Sequence, residues 1–237
     1  RQVCELAGPR FKRTSVQTPQ YTEKLANLFR PRLETTPLRQ ILYLGRIEDN
    51  KGVFLLLEAF ARIAQNHPWL RLRFIGTGSA LERLRAAADA LPGDVRARID
   101  APGHYNGTQV FNALDHSDLL VCPTSGNFSE GLAKTPLEAA ISGVPSLVST
   151  VVPAAHLLGS AVEVFEADNV DALTASLDRL ARDPAHLAAM SRAAQNRRSI
   201  FFDRKQSLTA QLILAMAQAV APKAAPQSKS SEMAALG

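Results

Sequence analysis

From residue 41 onward the chain alternates between two apolar patterns. Short runs, ILYLG (41–45), LRLRFIGTG (70–78), ARIDA (97–101), DLLVCP (118–123), PSLVST (145–150) and AVEVFE (161–166), have the length and composition of strands, and several stop at Gly or Pro. Segments between them, VFLLLEAFARIAQ (53–65), SALERLRAAADAL (79–91), TQVFNALDH (108–116) and TPLEAAISG (135–143), repeat apolar residues at helical spacing. Beyond residue 170 the pattern predicts two or three helices as far as Ala219, one starting near Pro184. Strand and helix in alternation predict an α/β fold: a doubly wound, Rossmann-like parallel sheet with helices on both faces and further helices at the C-terminus. Three regions are expected: a leading segment 1–40, a Rossmann-like domain 41–221, and a tail 222–237. The tail is rich in Ala, Pro and Ser and has no apolar period, so disorder is expected there.

With 237 residues, 46% hydrophobic and 21% charged, the chain has the composition of a soluble globular protein with enough apolar residues for a large core. It has no apolar stretch of the roughly 18 residues a membrane helix needs, and its first residues lack the apolar core of a signal peptide. A soluble, unexported, cytoplasmic protein is therefore expected. The chain opens at Arg1 without a Met, so a missing piece is expected too. Cys4 and Cys122 lie far apart and outside any metal-type or CxxC spacing, which fits a reducing compartment and no structural metal. The net charge of +5 is matched by residues 1–40 alone, where eight Arg and Lys face three Glu. Such a segment is either a solvated face or a peripheral contact with an anionic membrane at its inner surface; nucleic acid is not an expected partner.

Ligands of open parallel sheets bind beyond the carboxyl ends of the strands, and the unusual polar and Gly residues of this chain fall there. Gly45, Arg46 and Lys51 follow the first strand, Gly76 and Gly78 the second, Gly103 and His104 the third, and residues 123–130 the fourth. Arg46 and Lys51 either clamp an anion such as a diphosphate or pair locally with Glu48 and Asp49. Gly76-Thr77-Gly78 starts a dinucleotide fingerprint that Leu81 fails to complete, so these glycines serve a tight turn and close backbone approach. Thr135-Pro136-Leu137-Glu138 has the form of a capping box, with Thr135 as N-cap and Glu138 as its partner. Glu130, in the polar loop SGNFSEG, has no such structural role. The N–H groups around Ala133, Lys134 and Thr135, the two cations and the two carboxylates together suit an anionic ligand flanked by hydroxyls. A nucleoside diphosphate sugar has that shape.

In order along the chain, GRIEDNKG before an apolar helix, FIGTGS, and DLLVCPTSGNFSEGLAKTPLEAAISGVPSLVST resemble the C-terminal, donor-binding domain of retaining GT-B glycosyltransferases of family 4, which carry an E-x7-E motif. The resemblance covers about residues 40–205. It implies that Arg46 and Lys51 neutralise the diphosphate, that Glu130 accepts from sugar hydroxyls, and that Glu138 accepts from the ribose. It also implies that Gly103 and His104 border the base and that Gly45 and Gly76 leave room for the nucleotide. Gly131, Leu132, Ala133, Lys134 and Thr135 would form the anion-binding turn. Transfer would retain the anomeric configuration without a bound metal or other cofactor, toward a polysaccharide or glycolipid acceptor.

The chain departs from the family pattern in two places. Where the family has E-G-F-G-L-P, it has E-G-L-A-K-T-P: Ala133 replaces a Gly, Lys134 is inserted, and Pro136 comes one position late. VVPAAHLLG (151–159) stands where a Gly-rich segment is common. The family also has an N-terminal acceptor domain that residues 1–40 cannot encode, so donor binding without efficient transfer is expected of this chain alone. None of His67, His104, His116, His156 and His186 is placed as a general acid or base; most are expected to be surface or packing residues. Asn106 and Asn127, in Asn-x-Ser/Thr patterns, are expected as turn residues. Two other functions share this rim chemistry: a GT-B-type nucleotide-sugar epimerase and a non-catalytic nucleotide-binding or interaction module.

Overall fold

The computed structural model describes residues 20, 21, 37–128, 130, 131 and 133–220. Most of the leading segment and the whole tail lie outside the described residues. The chain divides into two units, Tyr21–Phe202 and a smaller one formed by Arg1–Gln20 with Asp203–Gly237.

In the larger unit, six parallel strands form one sheet: β1 (Gln40–Leu44), β2 (Arg71–Ile75), β3 (Ile99–Gly103), β4 (Leu119–Cys122), β5 (Ser146–Ser149) and β6 (Val162–Phe165). Their order is β3-β2-β1-β4-β5-β6. The helices are α1 (Val53–Ala64), α2 (Leu81–Asp89), α3 (Gly93–Arg96), α4 (Gly107–Asp115), α5 (Lys134–Ile141), α6 (Ala154–Leu158), α7 (Val170–Arg182) and α8 (Pro184–Arg197). The doubly wound parallel sheet read from the apolar pattern is the fold observed. The single-turn α3 and the short α6 had no expectation behind them. Both are shorter than the span over which a helical period becomes visible.

Alternation along the strands sorts the core into two layers. Ile41 and Tyr43 of β1 pack with Leu72, Phe74, Leu119 and Val121 against Phe60 of α1, Leu84 of α2 and Leu177 of α7. Leu42 points the other way, with Ile75 and Leu120, toward Leu114 of α4 and Ala139 of α5. A third cluster joins Val148 of β5 to Leu137 and Ile141 of α5, Leu158 of α6, Ala194 of α8 and Phe201. Burial on both faces is why β1, β4 and β5 are buried almost throughout, whereas β2, β3 and β6, toward the sheet edges, keep charged residues and exposed positions.

The strand order reverses between β1 and β4, which pair directly through Ile41↔Leu119 and Leu42↔Leu120. From β1 the chain winds outward through β2 and β3, and from β4 through β5 and β6. The loops leaving the C-terminal ends of β1 and β4 therefore diverge and leave a crevice between them.

Asn106, expected in a turn, is the N-cap of α4. Its side chain accepts from the Gln109 N–H at 3.2 Å, while Gln109 Oε1 accepts from the Asn106 N–H at 2.9 Å, a complete capping box. Replacing Asn106 by Ala is expected to lower unfolding stability by about 1 kcal/mol, read from urea titration.

The smaller unit is described at Gln20 and residues 203–220. Asp203 accepts from the Lys205 N–H at 3.0 Å, and a short 3-10 turn leads into α9 (Leu208–Val220), which carries no charged residue. Among the described residues no helix is long and apolar enough to cross a membrane.

Candidate functional site

The rim of the crevice is built by backbone contact between loops. Gly45 N–H donates to Ile75 O at 3.0 Å, Ile47 N–H to Thr77 O at 2.9 Å, and Gly76 N–H to Gly103 O at 2.8 Å. These bonds tie the exits of β1, β2 and β3 together. The approach is close enough that a Cβ on Gly76 would lie 1.7 Å from Gly45 O. Gly76 and Gly78 thus serve close approach, as their residue type predicted, and the missing third glycine is immaterial.

Lys51 ends a 3-10 turn, Asp49–Lys51, directly before α1. Its Nζ lies 2.6 Å from Glu130 Oε2 and 3.9 Å from the centroid of the Phe128 ring. Both side chains of this ion pair are largely buried, at 12% and 16% exposure. Thr124 Oγ1 donates to the same carboxylate oxygen at 3.0 Å. The loop after β4 is itself anchored: Ser149 Oγ donates to Thr124 O at 2.6 Å, Ser125 N–H to Asn50 O at 3.0 Å, and Gly126 N–H to Asp168 Oδ2 at 2.8 Å. Cys122, at the end of β4, has its thiol pushed up to about 11 by burial and stays a neutral lining group.

Arg46 behaves differently. Its guanidinium is 62% exposed and pairs with Glu48 at 3.0 Å, while its carbonyl accepts from the buried Tyr43 hydroxyl. Local pairing, one of the two alternatives for this loop, is therefore realised at Arg46. Lys51 pairs across the crevice instead, and Asp49 is taken by Arg83 at 3.0 Å.

Helix α5 corrects one expectation. It starts at Lys134, with Ala133 as N-cap in extended conformation and no side-chain cap. Thr135 is the second helical residue and Glu138 the fifth, beyond the reach of any cap. Pro136 did not fix the start because every N–H in the first turn lacks an intrahelical acceptor, so a Pro fits at any of those positions. The consequence is that Glu138 is available to a ligand. It is half-buried, and burial holds its carboxyl above the usual range, opposed by Lys134 and by the Tyr21 hydroxyl. Tyr21 donates to Glu138 Oε1 at 3.5 Å and is itself held by its N–H to Phe201 O at 2.9 Å and edge-on against the Phe201 ring.

Two cavities open on this rim. One, of about 320 Å³, is bordered by Glu138, Gly76, Thr77, His104, Tyr105 and Val110. The other, of about 470 Å³, is bordered by Lys51, Phe128, Glu130, Gly131, Ala133 and Lys134. They share Leu44, Gly45, Arg46 and Thr135 as a common wall. The two glutamates thus stand on opposite sides of the α5 N-terminus, one in each cavity. Lys134 is exposed at the second, Gly103 closes β3 behind His104, and Leu132 lies outside the described residues.

Tyr21, Thr77, Tyr105, Thr124 and Phe128 are among the site residues that sequence reasoning did not single out. Phe128, an aromatic inside an otherwise polar loop, was the one with a legible signal. Among the other histidines, His67 is buried against Asp178 at 2.7 Å and His186 pairs with Glu163 at 3.3 Å, both away from the rim. Among the described residues no group of three or more His, Cys, Asp or Glu is arranged to hold a metal.

The fold and site can be set beside known proteins. Residues 27–197 match the family described as "Glycosyl transferases group 1". The chain is 29% identical over 191 residues to a glycogen synthase of Mycobacterium tuberculosis, covering 79% of this chain and 45% of the relative. It is 28% identical over 169 residues to a GDP-mannose-dependent alpha-(1-6)-phosphatidylinositol monomannoside mannosyltransferase of Mycolicibacterium smegmatis, covering 66% and 42%. It therefore spans less than half the length of these curated relatives. Among solved structures, WaaG, a glycosyltransferase involved in lipopolysaccharide biosynthesis, superposes with a TM-score of 0.66 at 19% identity over 84% of this chain and 56% of its own. HepE from Anabaena in complex with UDP gives 0.64 at 16% identity, over 85% and 54%. With 171 contiguous residues, 27–197, matched out of 237, the chain belongs to the group 1 glycosyl transferase family.

Proposed function

We propose that this chain is the donor-binding half of a retaining GT-B glycosyltransferase of the E-x7-E type, which takes a nucleoside diphosphate sugar. The observation that carries the proposal is the placement of Glu130 and Glu138 in two adjoining cavities on either side of the α5 N-terminus, with Lys51 and Arg46 at the same rim. The base and ribose would occupy the smaller, more apolar cavity beside Tyr105, with Glu138 accepting from the ribose hydroxyls. The sugar would sit beside Glu130, and the diphosphate would cross the shared wall at Gly45 and Arg46.

Negative charge grows on the diphosphate as its bond to the sugar breaks. Lys51, Arg46 and the helix-terminal N–H groups of Lys134 and Thr135 border the cavity where that charge would develop, and positive groups gathered there would lower the barrier. No metal or other cofactor is part of the proposal. The acceptor, a glycan or glycolipid, would be held by a separate N-terminal domain facing this rim. The mycobacterial mannosyltransferase uses GDP-mannose and HepE was solved with UDP, so guanosine and uridine diphosphates are the first nucleotides to test.

Glu138→Gln provides the test. It is expected to weaken UDP or GDP binding about tenfold, from loss of a charge-assisted hydrogen bond of roughly 1.5 kcal/mol, by calorimetry. The fold should be retained, because Glu138 caps nothing. A carboxyl raised above its ordinary value of 4.5 by burial contributes stability at low pH that is lost as pH rises through the raised value. Glu138→Gln should therefore gain stability relative to wild type between acid and neutral pH. Unchanged affinity with a less stable fold would assign Glu138 a structural role instead.

A further inference from the structure

We propose that Lys51 and Glu130 form a latch, closed in the empty site, that favours a sugar-bearing nucleoside diphosphate over the free diphosphate left after transfer. The inference rests on the donor-binding role proposed above and adds to it a rule of discrimination. Its basis is that the cation meant for the diphosphate and the carboxylate meant for the sugar are bound to each other, at 2.6 Å, across the cavity the ligand would enter.

The pair is held from both sides. Phe128 lies against the Lys51 ammonium at 3.9 Å, and Thr124 donates to the same Glu130 oxygen at 3.0 Å. Arg46 and Glu48 are also paired, but in solvent, where the attraction is screened and easily surrendered. The cost of engaging an anion therefore falls on Lys51 and Glu130. Drawing Lys51 toward a diphosphate leaves a largely buried carboxylate with Thr124 as its side-chain donor among the described residues, which is unfavourable unless new donors arrive. Sugar hydroxyls are such donors; a free nucleoside diphosphate brings none to that cavity. A complete donor can thus satisfy both partners of the opened pair, whereas the diphosphate alone satisfies one. Once the sugar has left, Glu130 recaptures Lys51 and assists departure of the spent nucleotide.

Calorimetry on the full 237-residue chain at fixed ionic strength, with UDP, GDP and their sugar forms, tests this. Glu130→Gln is expected to bind the free diphosphate about fivefold more tightly and to lose the wild-type preference for the sugar form. In a Lys51→Met background the same substitution should bring no such gain, because the partner it releases is gone. Thr124→Val, which removes a donor to that oxygen, should shift free-diphosphate affinity the opposite way, about twofold weaker. Thermal melts establish that each variant is folded before titration. An equal gain with and without Lys51 would reduce the effect to general charge and overturn the latch, as would no gain in Glu130→Gln or tighter binding in Thr124→Val. Absence of any nucleotide binding by the wild type would remove the donor role itself and the latch with it.

Discussion

Lys51→Met is expected to weaken binding of a nucleoside diphosphate sugar about a hundredfold, the largest loss for any single side chain at the rim. The ammonium is 12% exposed and borders the larger cavity, so a contact to a diphosphate would form in low-dielectric surroundings. A charge-assisted hydrogen bond there is worth about 2–3 kcal/mol, against far less for an exposed pair. Arg46→Met, at a guanidinium that is 62% exposed, should cost only about threefold. Calorimetry with both variants reads the contrast directly. Equal losses would mean that Arg46 swings inward on binding, and no loss at Lys51 would remove the proposed diphosphate site. Lys51→Met also strands Glu130, so a modest loss of thermal stability should accompany the loss of affinity.

Gly52→Ala is expected to destabilise the larger unit by about 3–4 kcal/mol. Gly52 has φ of +69°, where a Cβ costs roughly 1–2 kcal/mol, and that Cβ would lie 1.9 Å from Pro123 O. The clash is with backbone, so no side chain can rotate away, and overpacking of this kind adds about 1–3 kcal/mol. For a chain of this size each kcal/mol lowers the melting temperature by roughly 2–4 °C, so a drop near 10 °C should be seen by calorimetry. Gly107→Ala, with nothing within 4 Å of the added Cβ, serves as the control and should leave the melt unchanged or slightly higher. The clash matters for function because it pries apart the loops after β1 and β4, where Lys51 meets Glu130.

Much of this architecture was legible along the chain. QILYL and LLVC are largely apolar runs and RLRFI alternates, all too short for helices, and VFLLLEAFARIA has an unambiguous helical stripe, so element type and alternation followed from periodicity. The rim loops were legible as well, because Gly, Arg, Lys and Glu interrupt the apolar pattern at strand ends. Details that depend on a partner in space were not. The capping box placed on Thr135 and Glu138 fitted the local pattern, yet α5 starts two residues earlier and leaves Glu138 facing a cavity. The cap that does exist, Asn106 with Gln109, lay within a pattern expected only to turn. Tyr21 reaches Glu138 across 117 positions of sequence, a distance over which no local pattern carries information.

Local spacing of apolar residues was sufficient to specify a parallel sheet wrapped by helices, because backbone geometry translates periods of 2 and 3.6 into strands and helices without reference to the rest of the chain. Which strands lie side by side is a different matter. The β1–β4 adjacency, and with it the crevice, follows from how the two core layers close on each other. Folding likewise selected the partner of Lys51: Glu48 and Asp49 were nearer in sequence but pair with Arg46 and Arg83, whereas tertiary packing brings the loop after β4 against the loop after β1 and sets Glu130, 79 residues away, beside Lys51 and Phe128.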